Sequence, residues 1–346
     1  MSAITAQTVN ELRNRTGAGL MDCKKALTEA AGDMEKAVEI LRIKGMATRD
    51  KKSGRSANEG VLVLRLAADA ASATVLELNC ETDFVAKNEA FVALANDLAA
   101  QVEKHGHDNL TEQAFHKTGQ KVNDYLTEQV TKLGENLKVS RSLTVKAGPG
   151  GKLASYVHNG SKIAVVLEIA AEGAAAGHAG LPELGRQLAM QVVANGAEHL
   201  RREDVPAERL EKERVIAEEF TKSEADKAIA EAQRIVDDYR GQLAEQKAGA
   251  NDPAVVAELE KRIANSEKAA KAAEGRKQGQ LANIEKIKSG RVDKFLAERC
   301  LLDQPFFRDP EKKVSDLVAE SAKQFGGAVK VVRFQRFAVG ESGEQA

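Results

Sequence analysis

Tryptophan is absent from this chain of 346 residues, and aromatic residues make up only 4% of it. So few rings leave no stacking platform for the bases of single-stranded nucleic acid. Cysteine is almost as scarce: Cys23, Cys80 and Cys300 are too widely spaced for a disulfide framework or a metal knuckle. No apolar run approaches the roughly 18 residues that a membrane-crossing helix needs. Met1-Ser2-Ala3-Ile4-Thr5 lacks the basic and apolar regions of a signal peptide. Neither sign of charge dominates, with 51 basic against 52 acidic residues and a net charge of -1, so the whole chain has no pull toward nucleic acid or membrane. These absences together predict a soluble, cytoplasmic protein.

Catalytic motifs are also missing. Gly150-Gly151-Lys152 is followed by Leu153, and Lys146 stands where a phosphate loop needs its first glycine, so this stretch reads as a turn. The six histidines show no HExxH spacing and have no cysteine pairs beside them, and His105-Gly106-His107 reads as a solvated helix end. Cys80 closes an apolar strand and reads as core rather than nucleophile. The chain is expected to be neither an enzyme nor the holder of a cofactor or metal.

What is present is organisation. Residues 1–46 read as three short helices around a thin core: Thr8 and Glu11 have capping-box spacing, Leu20 to Ala30 forms the second helix, and Asp33 caps a third that ends at Gly45. Residues 47–58 are polar and basic and read as a solvated linker, with a basic contact patch as the alternative. From Gly60 the period changes to that of strands, with β-rich runs at 61–67 and 74–80, then helices at 88–104 and 112–133. Strands follow at 137–146, 152–158 and 162–170, the first two joined by Gly148-Pro149-Gly150-Gly151, and then a helix to Ala194. Residues 208–299 are charged, alanine-rich and helical. Val256, Leu259, Ile263, Ala270, Ala273, Ile284 and Ile287 keep one 3,4 register, and Ala225, Ala228, Ala232, Ile235 and Tyr239 keep another. Pro253 suits a first helical turn, so this region reads as an antiparallel helical hairpin, weakened in its second arm by Gly275 and Gly279. A last helix, 312–325, and a strand, 329–339, return to the core, and 341–346 look frayed.

A repeat lies inside the core. Val75-Leu76-Glu77-Leu78 recurs as Val166-Leu167-Glu168-Ile169, and Leu98-Ala99-Ala100-Gln101-Val102 as Leu188-Ala189-Met190-Gln191-Val192. Strand and following helix therefore repeat together, which predicts two similar α+β subdomains, 59–146 and 147–207 with 300–340. Their strand-to-helix connections differ. The first is Glu81-Thr82-Asp83-Phe84-Val85-Ala86-Lys87; the second is Ala171-Glu172-Gly173-Ala174-Ala175-Ala176-Gly177. Taken alone, the first connection admits two accounts: a capped turn whose Phe84 and Val85 enter the core, or a shaped contact tip.

Four stretches bear on the choice: Leu12 through Leu27 with Arg15-Thr16-Gly17-Ala18-Gly19 at its centre, Asn79 through Lys87, Ser155-Tyr156-Val157-His158, and Gln304-Pro305-Phe306. Together they resemble the elongation factor Ts family over most of the chain. The resemblance implies an α+β fold with a small ubiquitin-associated-like N-terminal domain, a duplicated core and a helical-hairpin (coiled-coil) insertion. It implies a guanine-nucleotide exchange factor that binds elongation factor Tu, expels GDP and leaves when GTP enters. Thr82, Asp83, Phe84 and Val85 would then dislodge Mg²⁺ from the partner's nucleotide site, Leu20 and Met21 would contact the same G domain, and His158 another domain. The hairpin is longer than the ordinary form of the family, where it mediates dimerisation in many members, which implies a homodimer or heterotetramer here. The chain stops at Ala346 without the C-terminal helical module that some members use to grip the partner, so weaker dependence on that contact is expected. The competing reading is a structural adaptor that binds through the N-terminal bundle and the hairpin.

Overall fold

A computed structural model describes residues 4–249 and 252–341. Three helices open it: α1 (Ala6–Thr16), α2 (Leu20–Glu29) and α3 (Met34–Ser53). Strands β1 (Glu59–Leu66) and β2 (Ser72–Cys80) follow, then the single-turn α4 (Asp83–Ala86), α5 (Glu89–His105), α6 (Val122–Leu133) and β3 (Lys138–Lys146). Next come β4 (Gly151–His158), β5 (Ile163–Ala171) and α7 (Leu181–Asn195), and after them the long helices α8 (Ala207–Ala248), α9 (Pro253–Ala282) and α10 (Ile284–Arg299). The elements β6 (Pro305–Phe306), β7 (Asp309–Lys313), α11 (Val314–Phe325) and β8 (Val329–Ala338) close the chain. The chain divides into two compact units, one running to Gly196 and resuming at Phe306, the other Ala197–Pro305. The fold is α+β.

In the first unit, Val9, Leu12, Cys23, Ala26, Leu27 and Ala37 form the core of the helical bundle. Its first cap is Thr5, whose side chain accepts from the Thr8 amide at 3.2 Å, and not Thr8 itself. Val9 is buried and needs a helical turn before it, which moves the start upstream. Gly45 does not end α3. It is buried mid-helix, where an added Cβ would come within 3.2 Å of Thr131 Oγ1 on α6, so the glycine permits close helix packing. The basic stretch after it is helical to Ser53 and docked, not a solvated linker. Upstream of Gly45, Arg42 pairs with Asp124; within the stretch Arg49 donates to Asn123 Oδ1 at 2.6 Å and Thr127 Oγ1 at 3.0 Å, and Lys52 donates to the Gly134 carbonyl. The last contact sets a cation at the carbonyl end of α6, where the helix dipole favours it.

The core contains two antiparallel three-stranded sheets, β1-β2-β3 and β4-β5-β8. Strand β2 is buried almost throughout because both its faces are covered. Leu76 and Leu78 lie with Phe91, Leu94 and Leu98 of α5, while Val75 lies with Leu62, Val145, Leu153, Val166 and Phe337 between the sheets. A strand covered on both sides reads as an apolar run rather than an alternation. The Gly148–Gly151 turn therefore crosses from one sheet to the other; β3 and β4 are not a hairpin. The expected 112–133 helix is broken as well. A 3-10 turn spans Leu110–Glu112, and an extended stretch then buries Phe115 against Tyr125, with ring centroids 4.5 Å apart, before α6 starts.

The duplication runs further than the sequence showed. Helices α6 and α11 correspond residue for residue at an offset of 192, and at the same offset β3 maps onto Lys330–Ala338, all of β8 but its first residue. Both sheets shift register at the same point, after Glu77 in β2 and after Glu168 in β5. Each of these buried glutamates holds the end of the other sheet. Glu77 accepts from Arg141 Nε at 2.6 Å and from the Gly340 amide at 2.9 Å, while Arg141 also donates to the Ala338 carbonyl. Glu168 accepts from Arg333 Nε at 2.7 Å and from the Gly148 amide at 2.7 Å, while Arg333 donates to the Lys146 carbonyl. Two pseudo-symmetric clips thus tie the sheets together.

The second unit is an antiparallel hairpin. Helix α8 has 42 residues, about 63 Å at the usual rise. Helix α9 runs unbroken through Gly275 and Gly279, and the interruption falls at Asn283. Leu259, Ala270 and Ala273 are buried in the seam as expected, and on α8 Ala225 is buried with Ala232 and Tyr239 half-buried, also as expected. Ile229 and Val236, however, turn inward in place of the expected Ala228 and Ile235, which are exposed. Apolar residues are adjacent at both places, so a 3,4 spacing fits either choice and the facing helix selects one. Arg240–Glu267 at 2.7 Å and Lys247–Glu260 at 3.0 Å cross between the arms and fix their register. Asp252 caps α9 and Pro253 occupies its first turn. Of the expected turn, Ala250 and Asn251 lie outside the described residues, as do residues 342–346 of the expected frayed end.

Candidate functional site

Between the end of β2 and the start of α5 two helix starts follow each other closely. Thr82, in extended backbone, caps α4 by accepting from the Val85 amide at 3.3 Å, and Asn88 caps α5 by accepting from the Ala90 amide at 2.8 Å. The chain must turn sharply at each cap, so the four residues of α4 form a tip. Their side chains divide. Ala86 is buried and Val85 packs against the core, but Phe84 is 81% exposed. Of the two accounts open to the sequence, each therefore holds for part of the segment: Thr82 is a cap and Val85 packs inward, and Phe84 alone points out. Asp83 does not cap; it pairs with Lys87 at 2.7 Å, and that hydrogen bond holds its carboxyl below the usual range. Leaving a phenylalanine in water forgoes about 1.5–3 kcal/mol of burial, and a ring held this way on a capped turn is the type of anchor that binding sites bury.

Beneath the tip lies a carboxylate that sequence reading did not single out. Glu135 Oε2 accepts from the backbone amides of Glu81 and Thr82, each at 3.0 Å, and Oε1 accepts from the Thr82 hydroxyl at 2.6 Å. The neighbouring Asn136 donates its amide to Glu81 Oε1 at 2.7 Å and its side chain to the Arg55 carbonyl at 3.0 Å. Only the position of Gly134-Glu135-Asn136 between a helix and a strand was legible, since these contacts span more than fifty residues of chain.

Leu20 and Met21 stand on the first turn of α2, 47% and 63% exposed, apart from the tip on the N-terminal bundle. His158, exposed at the end of β4, has Nδ1 2.9 Å from the Tyr156 hydroxyl. The turn after it is fastened to β1: Ser161 O accepts from the Leu62 amide at 2.7 Å and Lys162 pairs with Glu59 at 2.6 Å. Glu59 in turn is paired with Cys80, two residues before Thr82, so the His158 turn and the tip share one end of the core.

The cysteines are shielded from solvent. All three are buried, and Cys80 donates to the Thr82 carbonyl at 3.2 Å. Burial pushes the Cys80 thiol up to about 12 and the Cys300 thiol to about 11 from an ordinary 9.0. Raised folded values give stability that is complete below pH 9 and lost as the pH climbs through 11 to 12. A thiol reagent at pH 8 is accordingly expected to leave the native chain almost unlabelled and to label all three cysteines in denaturant; rapid native labelling at Cys80 would contradict the burial. Among the described residues no group of three or more His, Cys, Asp or Glu side chains is placed to hold a metal ion, and no helix is long and apolar enough to cross a membrane.

Comparison with known proteins adds a family to this geometry. A family model described as elongation factor TS matches residues 81–245 and 237–341. Elongation factor Ts of Clostridium perfringens (strain SM101 / Type A) is 36% identical over 344 residues, covering 99% of this chain and 95% of that protein. Elongation factor Ts of Clostridioides difficile (strain 630) is likewise 36% identical, with 99% and 94% covered. Elongation factor Ts of Lawsonia intracellularis is 33% identical over 345 residues, with 98% and 99% covered.

Proposed function

The chain belongs to the elongation factor Ts family, a family of translation elongation, and we propose on that footing that it is the guanine-nucleotide exchange factor of elongation factor Tu. The observation that carries the proposal is Phe84, an exposed ring on a tip where Thr82 caps, Val85 and Ala86 pack inward and Asp83 is paired with Lys87. In this reading Thr82 to Val85 press the partner's G domain and unseat its Mg²⁺. That ion neutralises the phosphate charge of the nucleotide and demands near-ideal octahedral oxygen geometry. A wedge that shifts the elements supporting the ion weakens GDP binding without touching GDP. Linkage makes the effect reciprocal, so a factor that loosens GDP is itself loosened by nucleotide, and GTP entry releases it. No covalent chemistry is required of the chain.

Leu20 and Met21 serve as the second contact and His158 as a third, on the end of the core it shares with the tip. The hairpin serves assembly, as a homodimer or a heterotetramer with the partner. The test is release of fluorescent GDP from elongation factor Tu with catalytic amounts of the chain. Acceleration that saturates with chain concentration is expected; release at the spontaneous rate rejects the proposal in favour of an adaptor role.

A further inference from the structure

We infer that Glu135 is the positioning residue of the tip: it fixes the pose in which Phe84 is presented, and so sets the rate of nucleotide release rather than affinity for the partner. The inference rests on the exchange reading above and adds a residue argued to act through the tip, by its bonds to Glu81 and Thr82. Cys80 is the last residue of β2 paired with β1, so the Glu81 and Thr82 amides lie beyond that ladder. Glu135 takes both of them, together with the Thr82 hydroxyl, whose oxygen also caps α4. The three bonds engage both carboxylate oxygens, Oε2 taking the two amides and Oε1 the hydroxyl. Charge-assisted bonds of this kind are the strong ones.

The duplication supplies an internal comparison. At the offset of 192 that relates α6 to α11, Gly134 corresponds to Gly326 and Glu135 to Gly327. In the second copy, where the connection is the bland Glu172-Gly173-Ala174 run, the chain closes on itself: the Glu172 amide donates to the Ala328 carbonyl at 2.9 Å. A Cβ on Gly327 would lie 1.9 Å from the Glu172 carbonyl oxygen, so no side chain fits between. The copy with a presented ring has a carboxylate strut there, and the copy without one has backbone contact. The strut goes with the tip, not with the scaffold the copies share. The same loop also holds the end of α3, through Lys52 to the Gly134 carbonyl and Asn136 to the Arg55 carbonyl.

The experiment uses the full chain carrying Glu135→Ala, Glu135→Asp or Glu135→Gln, each also combined with Phe84→Ala. Glu135→Ala is expected to lower the maximal rate of fluorescent-GDP release about tenfold, with the half-saturating concentration nearly unchanged. Glu135→Gln keeps one oxygen for the two amides and is expected to retain activity within about threefold. In the Phe84→Ala background the Glu135→Ala effect should vanish, because a strut has nothing left to aim. Equal losses in both backgrounds would make Glu135 a general stabiliser and overturn the inference. Should Glu135→Ala not fold, Glu135→Asp, too short to reach all three donors, is compared in the same two backgrounds and separates the same two outcomes. Amide exchange in the free chain is a readout independent of the partner. The Glu81 and Thr82 amides should exchange at least about tenfold faster in Glu135→Ala, with Leu78 unchanged; protection equal to the native chain refutes the strut. A native chain that fails to speed GDP release rejects the exchange reading instead, and the two failures are told apart.

Discussion

Phe84→Ala is expected to lower the maximal rate of GDP release from elongation factor Tu by about one to two orders of magnitude, a loss of roughly 1.4–2.7 kcal/mol, as for a buried interface anchor. The unfolding midpoint of the chain itself should stay almost where it was. Both halves follow from the same fact: the ring is 81% exposed, so removing it takes nothing from the core, and exposed substitutions usually stay within about 0.5 kcal/mol. Asp83→Ala should cost less, because its carboxylate is engaged by Lys87 at the surface. Stopped-flow release with scanning calorimetry on the same samples separates the two effects. A Phe84→Ala chain that exchanges nucleotide at the native rate would move the active contact away from the tip.

The largest loss of stability is expected at the clips, and unequally. Arg141→Ala strands Glu77, whose side chain is 2% exposed, leaving it, among the described residues, the Asn79 side chain and the Gly340 amide as donors. Breaking a buried pair by removing one partner costs about 3–5 kcal/mol. For a unit of this size that is a fall in midpoint on the order of 10 °C. Arg333→Ala should cost clearly less. Its side chain is 49% exposed, so solvent already screens the pair and water can replace it at Glu168. Thermal unfolding of both variants beside a surface control such as Arg234→Ala decides the point. If Arg141→Ala melts with the control, the clip does not join the sheets.

The parts of the fold that were legible in the sequence are those governed by neighbours along the chain. Helical periodicity in 20–30 and 88–104, the Asp33 and Asn88 starts and the strand pair ending at Cys80 all rest on interactions within four residues or across a short turn. The misplacements share an opposite cause. Arg49 and Lys52 read as linker because their acceptors lie more than seventy residues away, on α6 and just past its end. The hairpin seam passes through Ile229 and Val236 because the facing helix, not the spacing, chose between adjacent apolar residues.

The sequence by itself determined the α+β class, the duplicated strand and helix, and the place of Thr82-Asp83-Phe84-Val85 at a connection that only one copy elaborates. It carried the repeat no further, because the long hairpin falls between the halves of the second copy and roughly doubles the offset, from 91 at β5 to 192 at β8. Tertiary structure decided which tip residue faces water, which glutamates clip the sheets and which one props the tip. The physical reason is reach. Backbone conformation answers to side chains a turn away, whereas the partner of a buried charge or an unpaired amide is whatever packing brings to it, 53 residues off for Thr82 and Glu135 and 263 for Glu77 and Gly340.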